Sequence, residues 1–281
     1  FVSYSSFIHN LGTKIHIFYY LCHGMAYCIS IYSKGETLPQ MTCNNFFHSP
    51  GLFHIIENTP AGAPYMAVAT NDEGHVCAHM LAITRRKGSL LPPYLYMQGR
   101  IYGEGEYDDN VDREQVFGQL LHAITRKLRR RLCLYIEFSD LSRKMFGYKL
   151  FRHEGYFPIN WQEVHNSLHS MSPEKRISEK MKKRIEHVYR LGVETRPAAN
   201  IDEVKGFYKL LRGFYKMKIR RLIPPEEQVI QLYESNNGQV FVTLFRNRVI
   251  GGCLCVCSEG NVYLWYLAAR RKTYAPLHPN L

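Results

Sequence analysis

Apolar and polar positions along this chain follow two periods, and the period switches at turn and cap residues. SPGLFHIIENT opens on Ser49 and Pro50, an N-cap and a first-turn proline, so a short helix is predicted there. PYMAVATNDEGHVCAHMLAITRR carries two strand-like runs around Asn71-Asp72-Glu73-Gly74, the composition of a tight turn. PPYLYMQGRIYG reads as a third strand. Asp112 then precedes Arg113 to Arg130, where Val116, Leu120, Leu121, Ile124 and Leu128 recur at helical spacing. LCLYIEF, Leu132 to Phe138, is a continuous apolar run of the buried-strand type. Asp140 is placed to cap a short helix ahead of Gly147, and Phe151 to Trp161 brings the chain back toward the sheet.

A second unit repeats the order. A helix is predicted from about Ser172 to Leu191, stopped by Gly192. VETRPA is a strand, and IDEVKGFYKLLRGFYKMK is a helix with Phe207, Leu210, Leu211 and Phe214 on its inner stripe. Pro224-Pro225 ends it and starts another helix, through about Ser235. Three strands follow, joined at Arg246-Asn247 and Glu259-Gly260. A helix leading into three consecutive strands thus occurs in both units, as an architectural repeat rather than a sequence repeat. The fold class read from this is α/β with mixed sheets, in two domains over 41–165 and 166–281. RRKTYAPLHPNL is expected to begin a further helix, which makes the second domain read as truncated at its carboxyl end. Residues 1–40 are apolar but interrupted by His9, Lys14, His16 and His23, without a basic leader or cleavage site. They are expected to lie outside any fold, upstream of a natural start at Met41. Ile15 to Tyr32 barely reaches the length of a membrane span, and its polar interruptions argue against one.

Composition narrows the function classes. With 281 residues, 46% hydrophobic and 13% aromatic, the chain can fill two cores. Its net charge of +12 favours anionic partners: nucleic acid, phosphorylated substrates or a membrane surface. The charge is concentrated, since Ser172 to Arg221 holds 15 Lys/Arg against 6 Asp/Glu. Lys180, Lys183, Arg184 and His187 share one helical face. Lys216, Lys218, Arg220 and Arg221 cluster beside Tyr215. Arg126, Lys127, Arg129, Arg130 and Arg131 read instead as a solvated helix end that suits the macrodipole. Trp265, Tyr266 and Tyr274 flank the last strand, where a ring can stack on a base or sugar or fill the core. Cys253, Cys255 and Cys257 alternate and read as one face of a buried strand. No C-x-x-C pair occurs; no metal site is predicted, and the chain reads as cytoplasmic and reduced. Nucleotide hydrolysis, zinc proteolysis and serine hydrolysis have no support, because Gly-Lys-Ser/Thr, H-E-x-x-H and G-x-S-x-G are all missing.

One loop holds a contradiction. Arg100, Gly103 and Gly105 spell R-x-x-G-x-G, the spacing with which acetyl-CoA-dependent acyltransferases cradle a pyrophosphate. Glu104, Glu106, Asp108, Asp109 and Asp112 crowd the same segment, and like charge opposes a pyrophosphate. Such binding also needs amides converging at a helix N-terminus, yet seven residues separate Gly105 from Arg113. The expectation is therefore no cofactor, with Gly103 and Gly105 as cofactor-binding residues only if acetyl-CoA is used. The acidic loop reads as a solvated cap, with steering of a substrate amine as the alternative. Glu137, near the end of its strand, can orient an amine, act as a base or pair with an arginine.

Several stretches together resemble the Fem family of peptidoglycan-bridge aminoacyltransferases. They are FHSPGLFHIIENTPAGAPYMAVA, LYIEFSDLS, EKMKKRIEHVYRLGVETRPA, GFYKLLRGFYKMKIRRLIPP and VYLWYLAARRKTYAPLHPN, which span Phe46 to about Leu281. The resemblance lies in their order and spacing. It implies tandem GNAT-like acyltransferase domains and metal-free transfer of an amino acid from aminoacyl-tRNA to an amine of a muramyl-peptide precursor, at the inner face of the membrane. Both substrates are polyanions, so Lys183, Arg184, Lys218 and Arg220 are the candidate phosphate anchors, with Tyr215, Tyr266 and Tyr274 as orienting rings. The alternatives are an acetyl-CoA-dependent N-acetyltransferase and a non-catalytic RNA- or anion-binding module.

Overall fold

The structure is a computed structural model of the chain, and it describes residues 27–60, 62–88, 95–131, 133–139, 147–159, 167, 170–215, 223–270 and 274–277. They form two compact units that part between Phe157 and Pro158.

In the first unit the strands are β1 (Cys28–Ser33), β2 (Gly62–Thr70), β3 (Val76–Gly88), β4 (Leu95–Tyr102), β5 (Glu106–Tyr107) and β6 (Cys133–Ser139). The helices are α1 (Pro50–Glu57), α2 (Arg113–Arg130) and α3 (Tyr148–His153), and a 3-10 turn (Phe46–His48) precedes α1. The sheet order is β1-β2-β3-β4-β6, with β5 paired to β3. β1 to β4 pair antiparallel, and β4 pairs parallel with β6. The parallel pair requires a crossover, which α2 supplies. Asp112 starts α2 as read from sequence, its carboxylate accepting the Glu114 and Gln115 N–H groups at 3.1 Å each. Leu120, Leu121 and Ile124 are fully buried, together with Ala67, Ala69, Ala82 and Ile101 of the sheet. Each such aliphatic side chain stabilises the unit by about 1.5–3 kcal/mol. Small alanines on this face let α2 approach closely. Met66, Val68, Leu81 and Ile83 have the opposite parity and are also buried, so both sheet faces are covered. Ser49 caps α1 as expected, accepting the Leu52 N–H at 3.0 Å.

Two expectations for this unit are corrected. Residues 1–40 do not all lie outside the fold: Cys28–Ser33 pairs with β2 over six residues, and Tyr27 and Ile29 are buried in the core beneath α2. Val68 and its neighbours on β2 are buried on both faces, and β1 supplies the backbone partners that this strand needs. β6 is not a buried strand: Leu134 and Tyr135 are 59% and 44% exposed, because among the described residues β6 ends the sheet order and is flanked on one side only.

The second unit contains α4 (Pro173–Arg176), α5 (Glu179–Arg190), β7 (Val193–Pro197), α6 (Ile201–Tyr215), α7 (Glu226–Glu234), β8 (Gly238–Phe245), β9 (Arg248–Ser258) and β10 (Asn261–Ala269). Its sheet, β10-β9-β8-β7, is antiparallel throughout. Both hairpin turns are where the sequence placed them. Arg246 and Asn247 have φ of 49° and 58°, and Glu259 and Gly260 have 49° and 73°, the left-handed pairs that suit strand twist. The single helix expected from Ser172 is two. Ile177 is extended, and Ser178 starts α5 afresh by accepting the Met181 N–H. Phe207 and Leu211 of α6 are fully buried, as its periodicity predicts. No described helix is long and apolar enough to cross a membrane.

Candidate functional site

β4 and β6 run side by side and deliver their carboxyl ends to the Gly103–Gly105 loop. In open α/β sheets, ligands bind outside the carboxyl ends of parallel strands. Arg100 and Glu137 are register partners there. The Arg100 guanidinium donates to Glu137 Oε1 at 2.7 Å, and the Ser139 hydroxyl donates to the same oxygen at 3.2 Å. Gln98 Nε2 donates to Oε2 at 3.3 Å, while Gln98 Oε1 is buried without a hydrogen bond. Arg100 also lies 4.9 Å over the Tyr102 ring. Parity explains the grouping: positions 98, 100 and 102 share one face, and Gly99 and Ile101 turn to the other. On that other face, a Cβ on Gly99 would lie 2.8 Å from Leu128 of α2. Glu137 thus forms the arginine pair, one of the readings open to it from sequence. Both side chains are about one-third exposed. Such a pair can meet an ammonium with its carboxylate and an anion with its guanidinium.

The loop is fixed from within. Gly103 N–H donates to the Ser139 carbonyl at 2.7 Å. Gly105 N–H is aimed at His48 Nε2, 3.2 Å away, and Leu81 N–H donates to His48 Nδ1 at 3.1 Å. His48 is completely buried, and burial with the nearby His79 lowers its pKa to about 3. It is therefore neutral at physiological pH and able to accept an amide. The glycines are needed for packing. Both have φ near +90°, and a Cβ on Gly105 would lie 2.6 Å from the His79 carbonyl oxygen. The amides of Gly103 and Gly105 thus face the protein.

Most of the acids also have internal partners. Glu104 pairs with Arg113 of α2. Asp108 meets His75 Nε2 at 2.9 Å, and Asp112 is the α2 cap. Glu106 Oε1 accepts both the Asn44 and Asn45 N–H groups at 2.7 Å. Burial would raise the Glu106 pKa, but His79, the Cys43 thiol and the two amides outweigh it and hold it at about 2.

The second-unit candidates are dispersed. Lys183 and Arg184 are exposed on α5, with Lys180 and His187 alongside. Tyr215 and Tyr266 are 8% and 7% exposed. Their rings serve packing, which leaves little surface for stacking on a substrate; the Tyr215 hydroxyl reaches the Leu267 carbonyl at 3.5 Å. Tyr274 is half-buried and packs edge-on against Phe245, 6.2 Å between centroids. Lys218 and Arg220 lie outside the described residues. Cys255 is buried, Cys253 and Cys257 are half-buried, and the first two sulfurs approach to 3.9 Å. Sequence reasoning missed His48, His79 and Gln98. Strand parity could have flagged His79, which shares a buried face with Leu81 and Ile83; nothing local marks His48.

No protein-family model and no curated protein sequence matches the chain. Among solved structures, FemX is similar over 84% of this chain and 78% of its own, at 9% identity and a TM-score of 0.51. L-PGS from Bacillus licheniformis matches 78% of this chain and 62% of its own, at 9% identity and a TM-score of 0.44. An aminoglycoside acetyltransferase from an uncultured soil metagenomic sample, solved with sisomicin, matches 30% of this chain at 23% identity and a TM-score of 0.25. This chain spans 62% of that acetyltransferase's length.

Proposed function

We propose that this chain, whose tandem GNAT-like units have a Fem-like fold similar to that of FemX, is an N-acyltransferase that moves an amino acid from aminoacyl-tRNA to an amine of a muramyl-peptide precursor. The observation that carries this reading is the tandem fold, shared with FemX over most of both chains. Two features support it. The exposed basic face of α5 suits a polyanionic donor. The Arg100–Glu137 pair at the carboxyl ends of β4 and β6 suits an amine that must be oriented beside an ester. Positioning of that kind can lower a barrier by about 7–11 kcal/mol without any cofactor. Work at the inner face of the membrane, where such precursors are anchored, belongs to the same reading.

Acetyl-CoA is the second reading, because R-x-x-G-x-G stands between β4 and α2. The inward Gly103 and Gly105 amides count against it. The test offers the full chain radiolabelled aminoacyl-tRNA or acetyl-CoA, each with a muramyl-pentapeptide acceptor. Label moving from tRNA to the peptide, at least tenfold reduced in Glu137→Gln, supports the proposal. Label moving only from acetyl-CoA replaces it with the second reading. RNA binding with steep salt dependence and no transfer leaves a binding module.

A further inference from the structure

Beneath the acidic loop, three side chains of different chemistry converge. His79 of β3 and Glu106 of β5 are cross-strand partners, so both project to the same face. Cys43 comes from the segment before the 3-10 turn, held there by the Asn44 and Asn45 amides on Glu106. One donor atom from each residue lies within 4.8 Å of the other two. Among the described residues, no other group of three such donors gathers in this way.

We propose that Cys43, His79 and Glu106 form a binding site for a divalent transition metal, with zinc the ion that their donors suit best. The spacing of the nitrogen and oxygen donors is that of one edge of a tetrahedron. Zn–N bonds of about 2.0–2.1 Å and Zn–O bonds of about 2.0–2.2 Å put those two donors roughly 3.3–3.5 Å apart. His79 Nε2 and Glu106 Oε2 are 3.3 Å apart. The His79 side chain is only 3% exposed, and the two atoms approach to 3.3 Å without the alignment of a well-formed hydrogen bond. Two buried polar atoms facing each other without that bond are costly, and a cation between them satisfies both. Glu106 Oε1 is already occupied by two amides, which turns Oε2 toward the centre and fixes the carboxylate as a single-oxygen ligand. A sulfur, an imidazole nitrogen and one carboxylate oxygen favour zinc over magnesium or calcium, which prefer all-oxygen sites. Cys43 is half-buried, which gives an ion a way in and leaves the fourth position to water. Binding displaces the thiol proton to solvent and leaves a thiolate on the metal. The bound ion would clasp the Cys43 segment, β3 and β5 together under the loop.

The test uses the untagged full chain, stripped with a chelator and then titrated with Zn2+ by calorimetry and with Co2+ by absorption. The expected result is one equivalent of Zn2+, a thiolate-to-cobalt charge-transfer band in the near ultraviolet, and tetrahedral d–d bands in the visible. Cys43→Ser should abolish the charge-transfer band. His79→Gln and Glu106→Gln should weaken Zn2+ binding by more than the roughly 10–100-fold that outer-shell changes cost. The wild-type spectrum alone can sink the idea: no Co2+ binding at micromolar protein, or binding without a thiolate band, overturns it whether or not the variants fold. Wild-type affinity in all three variants also overturns it, since the ion is then held elsewhere, for example at Cys253 and Cys255.

Discussion

The acidic loop of the first unit and the basic helix α5 of the second carry comparable densities of charge and treat it in opposite ways. In the loop, Glu104, Glu106, Asp108 and Asp112 are engaged by an arginine, backbone amides, a histidine and a helix N-terminus of the same unit. On α5, Lys180, Lys183, Arg184 and His187 are exposed, and among the described residues the ion pairs of that helix are made by Lys182 with Glu179 and Arg190 with Glu186. Charge that a chain engages internally contributes to its own stability. Charge left on one exposed face is available to a partner. The spacing of a motif does not separate the two cases; the direction in which donors and acceptors point does.

The strongest way to break this comparison is to remove the support of the first unit. A chain of residues 41–281 lacks β1, loses the buried side chains of Tyr27 and Ile29, and uncovers the edge of β2. At about 1.5–3 kcal/mol per side chain, the first unit should lose roughly 3–6 kcal/mol, and the bared edge should promote association. Urea unfolding and light scattering would show this against a chain of residues 27–281, which keeps β1. Equal stability of the two would mean that β1 contributes nothing to the sheet.

Within the loop the expected effect is smaller and more local. Gly105→Ala combines a φ of +99° with a Cβ placed 2.6 Å from the His79 carbonyl oxygen. Backbone strain and overpacking together should cost about 2–4 kcal/mol. Gly74→Ala provides the contrast, with a φ of +81° but nothing within 4 Å of the added carbon, and should cost about 1 kcal/mol. Matching losses in the two variants, measured by urea unfolding, would show that packing on His79 and His48 does not hold the loop.

His48 makes the same point through pH. Its folded pKa is lowered to about 3 by burial, whereas the unfolded chain titrates near 6.5. Between those values the unfolded state binds a proton that the folded state refuses. Stability is therefore complete above about pH 6.5 and falls as pH drops, by as much as about 1.4 kcal/mol per unit from this ring. Glu106, held at about 2 against 4.5, begins to add its own loss only below about pH 4.5. Unfolding free energies from pH 7 to 5 should slope less steeply in His48→Gln. An unchanged slope would mean that this imidazole is not kept neutral by the fold.

Local signals in the chain carried much of this architecture. Ser49 and Asp112 cap helices because a side-chain oxygen close in sequence meets an orphan N–H, which is local chemistry. The Arg246-Asn247 and Glu259-Gly260 turns are local for the same reason. Cys28–Ser33 was not legible as a strand, because its partners lie 32 to 42 residues ahead and the segment before it is largely apolar without a strand period. The site was less legible than the fold. Arg100 meets Glu137 only through the parallel register that the α2 crossover creates. His48 reaches Leu81 and Gly105 across a strand and a loop, and no spacing in sequence encodes that interaction. Tyr215 and Tyr266 looked available because they stand next to basic or aromatic residues, but burial depends on which face of α6 meets the sheet and which face of β10 is covered.

The smallest expected change in stability gives the sharpest reading of the comparison. Asp112→Ala removes the α2 cap and should cost about 1 kcal/mol, while leaving the affinity for RNA unchanged. Lys183→Gln with Arg184→Gln alters two exposed positions on α5 and should move stability by less than about 0.5 kcal/mol. If that face holds a polyanion, each phosphate that is no longer neutralised should lower the slope of log K against log salt by roughly 0.7–0.9. Fluorescence anisotropy of labelled tRNA over a salt series measures that slope, and urea unfolding of the same samples measures the stability. An inward charge that changes only stability and an outward pair that changes only the slope would make the division functional. A slope unmoved by the α5 substitutions would assign that face to solvent and direct the search for the donor site back to Arg100 and Glu137.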